Sequence, residues 1–390
     1  MNDVVIIAGR RTPLGSYQGA LSRLTCTQLG AAAIKAVVDE VAIAPDAVDE
    51  VIMGCVLPAG LGQAPARQAA LQAGLSVGTP CTTVNKVCGS GMKAMMLAHD
   101  AIVAGTNEVV VAGGMESMSN APYLVSRCTA NTRPGHQRLV DHLFYDGLEN
   151  PDDGRLMGQI AERCAERYEF SRDAQDAYAI ESIQRAQQAS RSGAFAAEIV
   201  EVEAAGQRVS QDEPPFKAKP DRVSKLRPVF QAEHGTITAA SSSSLADGAA
   251  ALLLMRRAAA ERYDQRPLAR VVAHATHACV PTDFPVAPIH AIRTLYEKTG
   301  WRDVDIDLYE INEAFAVVAM AAIQDLGISH AKVNVLGGAC ALGHPLGATG
   351  ARILVTLLHA LRRRNLRRGI AALCIGGGEA TAVAVEREAA

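Results

Sequence analysis

Val84-Asn85-Lys86-Val87-Cys88-Gly89-Ser90-Gly91-Met92 leads directly into a helical stretch. Gly91 opens it, apolar Met92, Met95, Met96, Ile102 and Val103 recur at three-to-four spacing, and Gly105 closes it. The strand Val109-Val110-Val111-Ala112 and Gly113-Gly114 follow. The same succession returns later in the chain. Gly350, 259 positions after Gly91, opens a helix carrying Ile353, Leu354, Leu357, Leu358 and Leu361. An arginine-rich turn, the strand Ile370-Ala371-Ala372-Leu373-Cys374 and a glycine run come next. A second pair of segments agrees. A helix around residues 27 to 41 leads to the strand Glu50-Val51-Ile52-Met53-Gly54, and one around 288 to 299 leads to Asp307-Leu308-Tyr309-Glu310-Ile311-Asn312; Leu308 lies 257 positions after Val51. Two segments sharing nearly one offset predict a duplicated α/β unit, although an ordinary α/β chain also repeats such units.

A chain of 390 residues, 49% of them hydrophobic, exceeds one ordinary core, so two or three packed domains are expected. Residues 1–117 form the first half, completed by about 246–266, and 267–390 form the second. Between them, 118–245 read as an inserted loop domain, rich in charge, Pro and Gln, with a helix from Asp173 to Ser190. The net charge of −3 argues against nucleic-acid or membrane-surface binding through overall charge. No apolar run reaches transmembrane length. The strand at Val4 to Gly9 leaves no room for a signal peptide, and nine dispersed cysteines suit reduced thiols, so a cytoplasmic setting is expected. No Cys-x-x-Cys or His-x-x-x-His pair is present, and no metal site is expected.

Three glycine-bounded sites carry chemistry. Cys88 stands at a helix N-terminus, where unpaired N–H groups and the helix dipole favour a thiolate. Its flanking glycines allow a carbonyl to approach the backbone. His344 lies in the loop Gly343-His344-Pro345-Leu346-Gly347, and Cys374 ends an apolar strand before Gly376-Gly377-Gly378. Two thiols and an imidazole on tight turns point to covalent chemistry at sulfur. The other cysteines read as small core residues.

Five blocks, in order, carry a resemblance: Asn85-Lys86-Val87-Cys88-Gly89-Ser90-Gly91-Met92-Lys93-Ala94, Gly113-Gly114-Met115-Glu116-Ser117-Met118-Ser119, Asn312-Glu313-Ala314-Phe315-Ala316, Gly343 to Ala348 and Cys374 to Gly378. The chain resembles the thiolase family, of the acetyl-CoA acetyltransferase type, over essentially its whole length. The resemblance implies duplicated αβαβα halves in a five-layered core, with the inserted loop domain helping to hold coenzyme A. It implies that Cys88 takes the acyl group, His344 activates it, Cys374 moves the second proton and Asn312 contributes to an oxyanion hole through water. The backbone N–H groups of Cys88 and Gly376 would serve a second oxyanion. The expected reaction is ping-pong: two acetyl-CoA give acetoacetyl-CoA and free coenzyme A, or the reverse. These thioesters are substrates, with no separate cofactor. A homo-oligomer is expected, a tetramer more readily than a dimer.

The resemblance also places Ser243 against the pantetheine arm, and Leu148, Met157, Phe230, Ala314 and Phe315 along the acyl and pantetheine tunnel. Lys217 belongs to a basic run with Lys219, Arg222, Lys225 and Arg227 that would attract the phosphates, or form a solvated face. Three departures stand out: Leu156 where short-chain members often have histidine, the serines Ser241 to Ser244, and Glu379 after the triple glycine where relatives have methionine or glutamine. They leave open a degradative 3-ketoacyl-CoA thiolase of broader chain length, acting in fatty-acid breakdown. A non-catalytic acyl-CoA-binding subunit is the third reading.

Overall fold

The computed structural model describes residues 3–127 and 136–388; Cys128 lies outside them. Nine main strands are β1 (Val4–Arg11), β2 (Glu50–Gly54), β3 (Cys81–Val84), β4 (Val109–Ser117), β5 (Ala246–Arg256), β6 (Ala269–Ala278), β7 (Leu308–Ile311), β8 (Arg368–Ile375) and β9 (Glu379–Glu386). They form one hydrogen-bonded path, β7-β8-β9-β6-β1-β5-β4-β2-β3. The repeat is visible in its connectivity. From the centre outward, β1-β5-β4-β2 runs antiparallel, antiparallel, parallel. On the other side, β6-β9-β8-β7 runs the same way. Only the pairs Val5–Arg270 and Ile6–Ala269 join the two sets.

Alternation along the strands separates the layers. Val5, Ile7, Val109 and Val111 face α1 (Cys26–Val41) and α2 (Pro65–Gln72). Val4, Ile6, Val110 and Ala112 face the interior instead, where α3 (Ser90–Ala104) and α8 (Leu346–Arg363) pack together. On the far side, Ile370 and Ala372 meet α6 (Ala287–Thr299) and α7 (Ala316–Leu326). This gives helix, sheet, helix, sheet and helix layers. Helix α8 shows why the middle layer is apolar: every residue from Leu346 to Leu361 is buried. Helix starts and stops follow local chemistry. Thr25 and Gln28 form a capping box on α1, and Gly105, Gly300 and Gly327 end α3, α6 and α7 in the left-handed conformation.

Gly350 does not open its helix; α8 begins at Leu346, after Pro345. A Cβ on Gly350 would run into the backbone N of Met92, and one on Gly91 would lie 2.9 Å from the backbone N of Ala351. These glycines are therefore crossing points that let the two buried helices touch through their backbones. Residues 118–245, between β4 and β5, include α4 (Met157–Arg167) and α5 (Arg172–Arg191).

Candidate active site

The repeat places chemistry at matching ends. Parallel strands β3, β7 and β8 deliver Cys88, Asn312 and Cys374 at or just beyond their carboxyl ends, where open α/β sheets bind ligands. Cys88 precedes α3 as His344 precedes α8. Nucleophile and imidazole thus lead into the N-termini of the two helices packed in the middle layer.

The nucleophile loop is strained and tied down. Val87, β-branched, sits at φ +46°, a left-handed conformation costing about 1–3 kcal/mol. Two side chains hold it. Asn85 Oδ1 accepts the Val87 N–H at 2.8 Å, while Ser90 Oγ accepts the Lys86 N–H at 2.8 Å and donates to the Val87 carbonyl at 2.6 Å. Cys88 and Leu148 pack against Val56, Leu57, Met118, Leu143 and Leu346. The backbone N–H groups of Gly376 and of Cys88 itself both favour its thiolate. Burial nevertheless wins and pushes the thiol up to about 11. The expectation that the helix end favours a resting thiolate is corrected: Cys88 rests as a thiol, because desolvation outweighs the N–H donors.

His344 is buried, and burial, then the Arg352 guanidinium, pulls it down to about 3, so it is neutral. Its tautomer follows from hydrogen bonding. Thr349 Oγ1 donates to the Pro345 carbonyl at 2.9 Å and therefore accepts from Nδ1–H of His344 at 2.6 Å. Nε2 is left with its lone pair and no hydrogen-bond partner among the described residues. That is the protonation state a general base needs. The His344 loop is anchored by its own N–H on the Ser244 carbonyl at 2.9 Å. Glu116, fully buried, accepts the Gly347 N–H at 2.8 Å as well as those of Val56 and Leu57.

Cys374 is buried and feels Cys88, and both push its thiol well above the ordinary value. The expected near-neutral second thiol is not present at rest: burial first, then Cys88 and Cys164, oppose its thiolate. Asn312 lies just past β7, with both side-chain amide atoms buried and unpartnered by protein. Its neighbour Glu313 holds that strand end through Tyr178 (3.0 Å), Ser182 (2.7 Å), Asn334 (2.8 Å) and the Cys340 N–H (3.1 Å).

The expected tunnel residues gather around these groups. Met157, Phe230, Ala314, Phe315 and Cys374 share one apolar cluster. Phe230 meets Phe315 edge-on at 5.8 Å, and Gly158 has no room for a Cβ beside Phe230. The Met157 N–H donates to the Leu148 carbonyl at 2.9 Å, and the Ser243 N–H to the Ala314 carbonyl at 3.0 Å. The serine run is ordered: Ser241 and Ser242 are buried, and Ser242 Oγ donates to the Thr238 carbonyl at 2.8 Å. A cleft of about 560 Å³ is lined by Lys217, Lys219, Arg222, Ser244 and Leu245. Lys217 Nζ itself pairs with Glu213 at 2.7 Å.

Thr349, Glu116, Glu313 and the strain at Val87 escaped the sequence reading. Only the Gly-Gly-Met-Glu and Asn-Glu-Ala-Phe blocks hinted at the two glutamates. Spacing also missed His99, Asp100 and His274, which meet across tertiary contacts with His274 Nε2 2.8 Å from Asp100 Oδ1.

A layered α/β fold that brings a half-buried thiol, a buried imidazole and a second, buried thiol to strand and helix ends suits the class of enzymes that transfer acyl groups. Comparison with known proteins agrees. The thiolase N-terminal and C-terminal domain families match residues 4–258 and 265–387. The chain is 49% identical to acetyl-CoA acetyltransferase A, mitochondrial, of Xenopus laevis, covering 99% of this chain and 92% of that one. It is 45% identical to acetyl-CoA acetyltransferase of Chromobacterium violaceum, over 99% and 100%. A crystal structure of an Ascaris suum thiolase in complex with coenzyme A superposes with a TM-score of 0.95 at 41% identity, covering 99% of this chain and 100% of the other. The chain belongs to the thiolase family and is an acyltransferase. The cytoplasmic expectation is withdrawn, because several of these relatives are named mitochondrial while another is bacterial. Location does not follow from an unbroken first strand and scattered thiols.

Proposed function

We propose that the protein is an acetyl-CoA C-acetyltransferase, exchanging two acetyl-CoA for acetoacetyl-CoA and coenzyme A. The carrying observation is a neutral His344 with Nε2 unpartnered among the described residues, in a loop whose Leu346 packs in one cluster with the half-buried Cys88. Full-length relatives named acetyl-CoA acetyltransferase support the substrate. Cys88 attacks the thioester carbonyl as His344 Nε2 takes the thiol proton, so the thiolate forms only as it reacts. Free coenzyme A leaves with that proton, and acetyl-Cys88 remains. A second acetyl-CoA enters. His344 Nε2 takes the Cys374 thiol proton, the resulting Cys374 thiolate accepts a methyl proton, and the enolate oxygen is met by the Nε2–H of His344 and an Asn312-held water. The carbanion attacks acetyl-Cys88, whose carbonyl oxygen turns to the N–H groups of Cys88 and Gly376. Collapse releases acetoacetyl-CoA; the departing Cys88 thiolate takes the proton held by Cys374, which recovers its own from His344.

Met157 beside Gly376, with a Cβ there only 3.4 Å from its Sδ, narrows the acyl end and supports short chains over the longer-chain alternative. Lys217, Lys219 and Arg222 would meet the coenzyme A phosphates. Homo-oligomerisation belongs to this reading, with β3 as a half-exposed sheet edge open to pairing, and a tetramer more readily than a dimer. The test is thiolysis: loss of the magnesium-enolate absorbance of acetoacetyl-CoA on adding coenzyme A, and an acetylated Cys88 by mass spectrometry. No acetyl-enzyme, or a clear preference for long 3-ketoacyl chains, would overturn the assignment.

A further inference from the structure

Lys86 and Glu379 form a close, half-buried ion pair. They are remote in sequence. Lys86 stands two residues before Cys88, and Glu379 is the first residue after Gly376-Gly377-Gly378. The pair therefore joins the nucleophile loop to the turn that supplies the Gly376 N–H. Each partner's backbone needs such a tie. On one side Val87 is held at φ +46°, and on the other Gly377 and Gly378 both lie at φ near +90° in a turn of three flexible glycines. The ladder pair Ile375–Glu379 closes the ends of the turn, and within it the Gly378 N–H donates to the Ile375 carbonyl at 3.3 Å while Cys279 N–H and Sγ donate to the Gly378 carbonyl. Those bonds hold Gly378, not Gly376. Beside Gly376 there is room for a Cβ before Met157 and Val87 are met, so its height above Cys88 depends on how the two loops are drawn together.

We propose that Lys86 and Glu379 are a pair of positioning residues, clamping the Gly376 N–H over the sulfur of Cys88 and over the acyl oxygen it will carry. This rests on the acyl-transfer reading given above. It assigns a purpose to Glu379, one of the positions at which the chain departs from the thiolase pattern. The clamp acts through geometry: the pair is internally neutral, and either charge removed leaves the same loosened turn.

The test is a double-mutant cycle on the full-length enzyme, with K86M, E379Q and K86M/E379Q. The measurements are kcat and KM for thiolysis of acetoacetyl-CoA, the iodoacetamide alkylation rate of Cys88 and the melting temperature. All three variants are expected to lose about tenfold in kcat with little change in KM, the double no worse than either single, because a small misplacement of an oxyanion donor is costly. Alkylation should slow in all three. Opposite effects on alkylation, slower in K86M and faster in E379Q, would show that charge at Cys88 matters instead and overturn the clamp. So would additive losses, or kcat within twofold of wild type. If K86M fails to fold, E379Q decides alone by the same kcat and alkylation criteria. Inactive wild-type enzyme would refute the functional reading itself, a result distinguishable from failure of the clamp.

Discussion

Replacing Thr349 by valine tests the tautomer argument directly. Thr349 is fully buried, and its Oγ1 is the partner of His344 Nδ1 at 2.6 Å. Valine keeps the shape and removes the acceptor. The Nδ1–H is then buried without a partner, a penalty of about 1–3 kcal/mol. The imidazole can escape it by moving its proton to Nε2, which removes the lone pair that takes the Cys88 proton. Either way the active arrangement is disfavoured by that amount, and at about 1.4 kcal/mol per tenfold the rate should fall roughly 10- to 100-fold. Thr349→Ser retains the hydroxyl and should stay within about threefold of wild type. The assay is kcat/KM for acetoacetyl-CoA thiolysis, with acetyl-enzyme formation followed by rapid-quench mass spectrometry to show that the loss falls on acylation. Valine activity within twofold of wild type, at unchanged melting temperature, would refute the assignment of Nε2 as the base.

Further outcomes follow from the same geometry. Cys88→Ala should form no acetyl-enzyme, and a labelled acetyl group still bound at the wild-type rate would place the nucleophile elsewhere. Cys374→Ser should still acetylate Cys88 yet lose about 10²–10⁴ in condensation, together with exchange of acetyl-CoA methyl protons with solvent; retained exchange would remove Cys374 from the proton path. Because Cys88 is raised to about 11, its thiolate is the minor form below that pH, so alkylation should climb about tenfold per pH unit from 7 to 10. A plateau below pH 8 would reveal a resting thiolate–imidazolium pair. Arg11, fully buried, bonds Glu198 at 2.6 Å and Asp212 at 2.6 and 2.9 Å. Arg11→Met strands two buried carboxylates and should cost about 3–5 kcal/mol, read as a lower denaturant midpoint; an unchanged midpoint would show the pair to be dispensable.

Local order was readable from the chain. Apolar spacing marked α3 and α8, Gly105 marked the end of α3, and the two offsets anticipated the repeated strand connectivity. Cys88, His344 and Cys374 stood out because glycine-bounded turns at strand and helix ends are rare places for such side chains. These signals are local, and local chemistry dictates them. What the linear chain did not reveal was electrostatic and long-range. The helix-end argument called for a thiolate, but desolvation, a property of the assembled layers, made Cys88 a thiol and His344 a neutral base. Gly350 looked like a helix start and proved to be where two backbones cross. Glu116 and Glu313 act through partners that only folding brings near, Glu116 reaching Gly347 across 231 positions and Glu313 reaching Tyr178 across 135. Sequence alone singled out the candidate groups; the packed fold decided their protonation and surroundings, because both depend on neighbours that the sequence holds far apart.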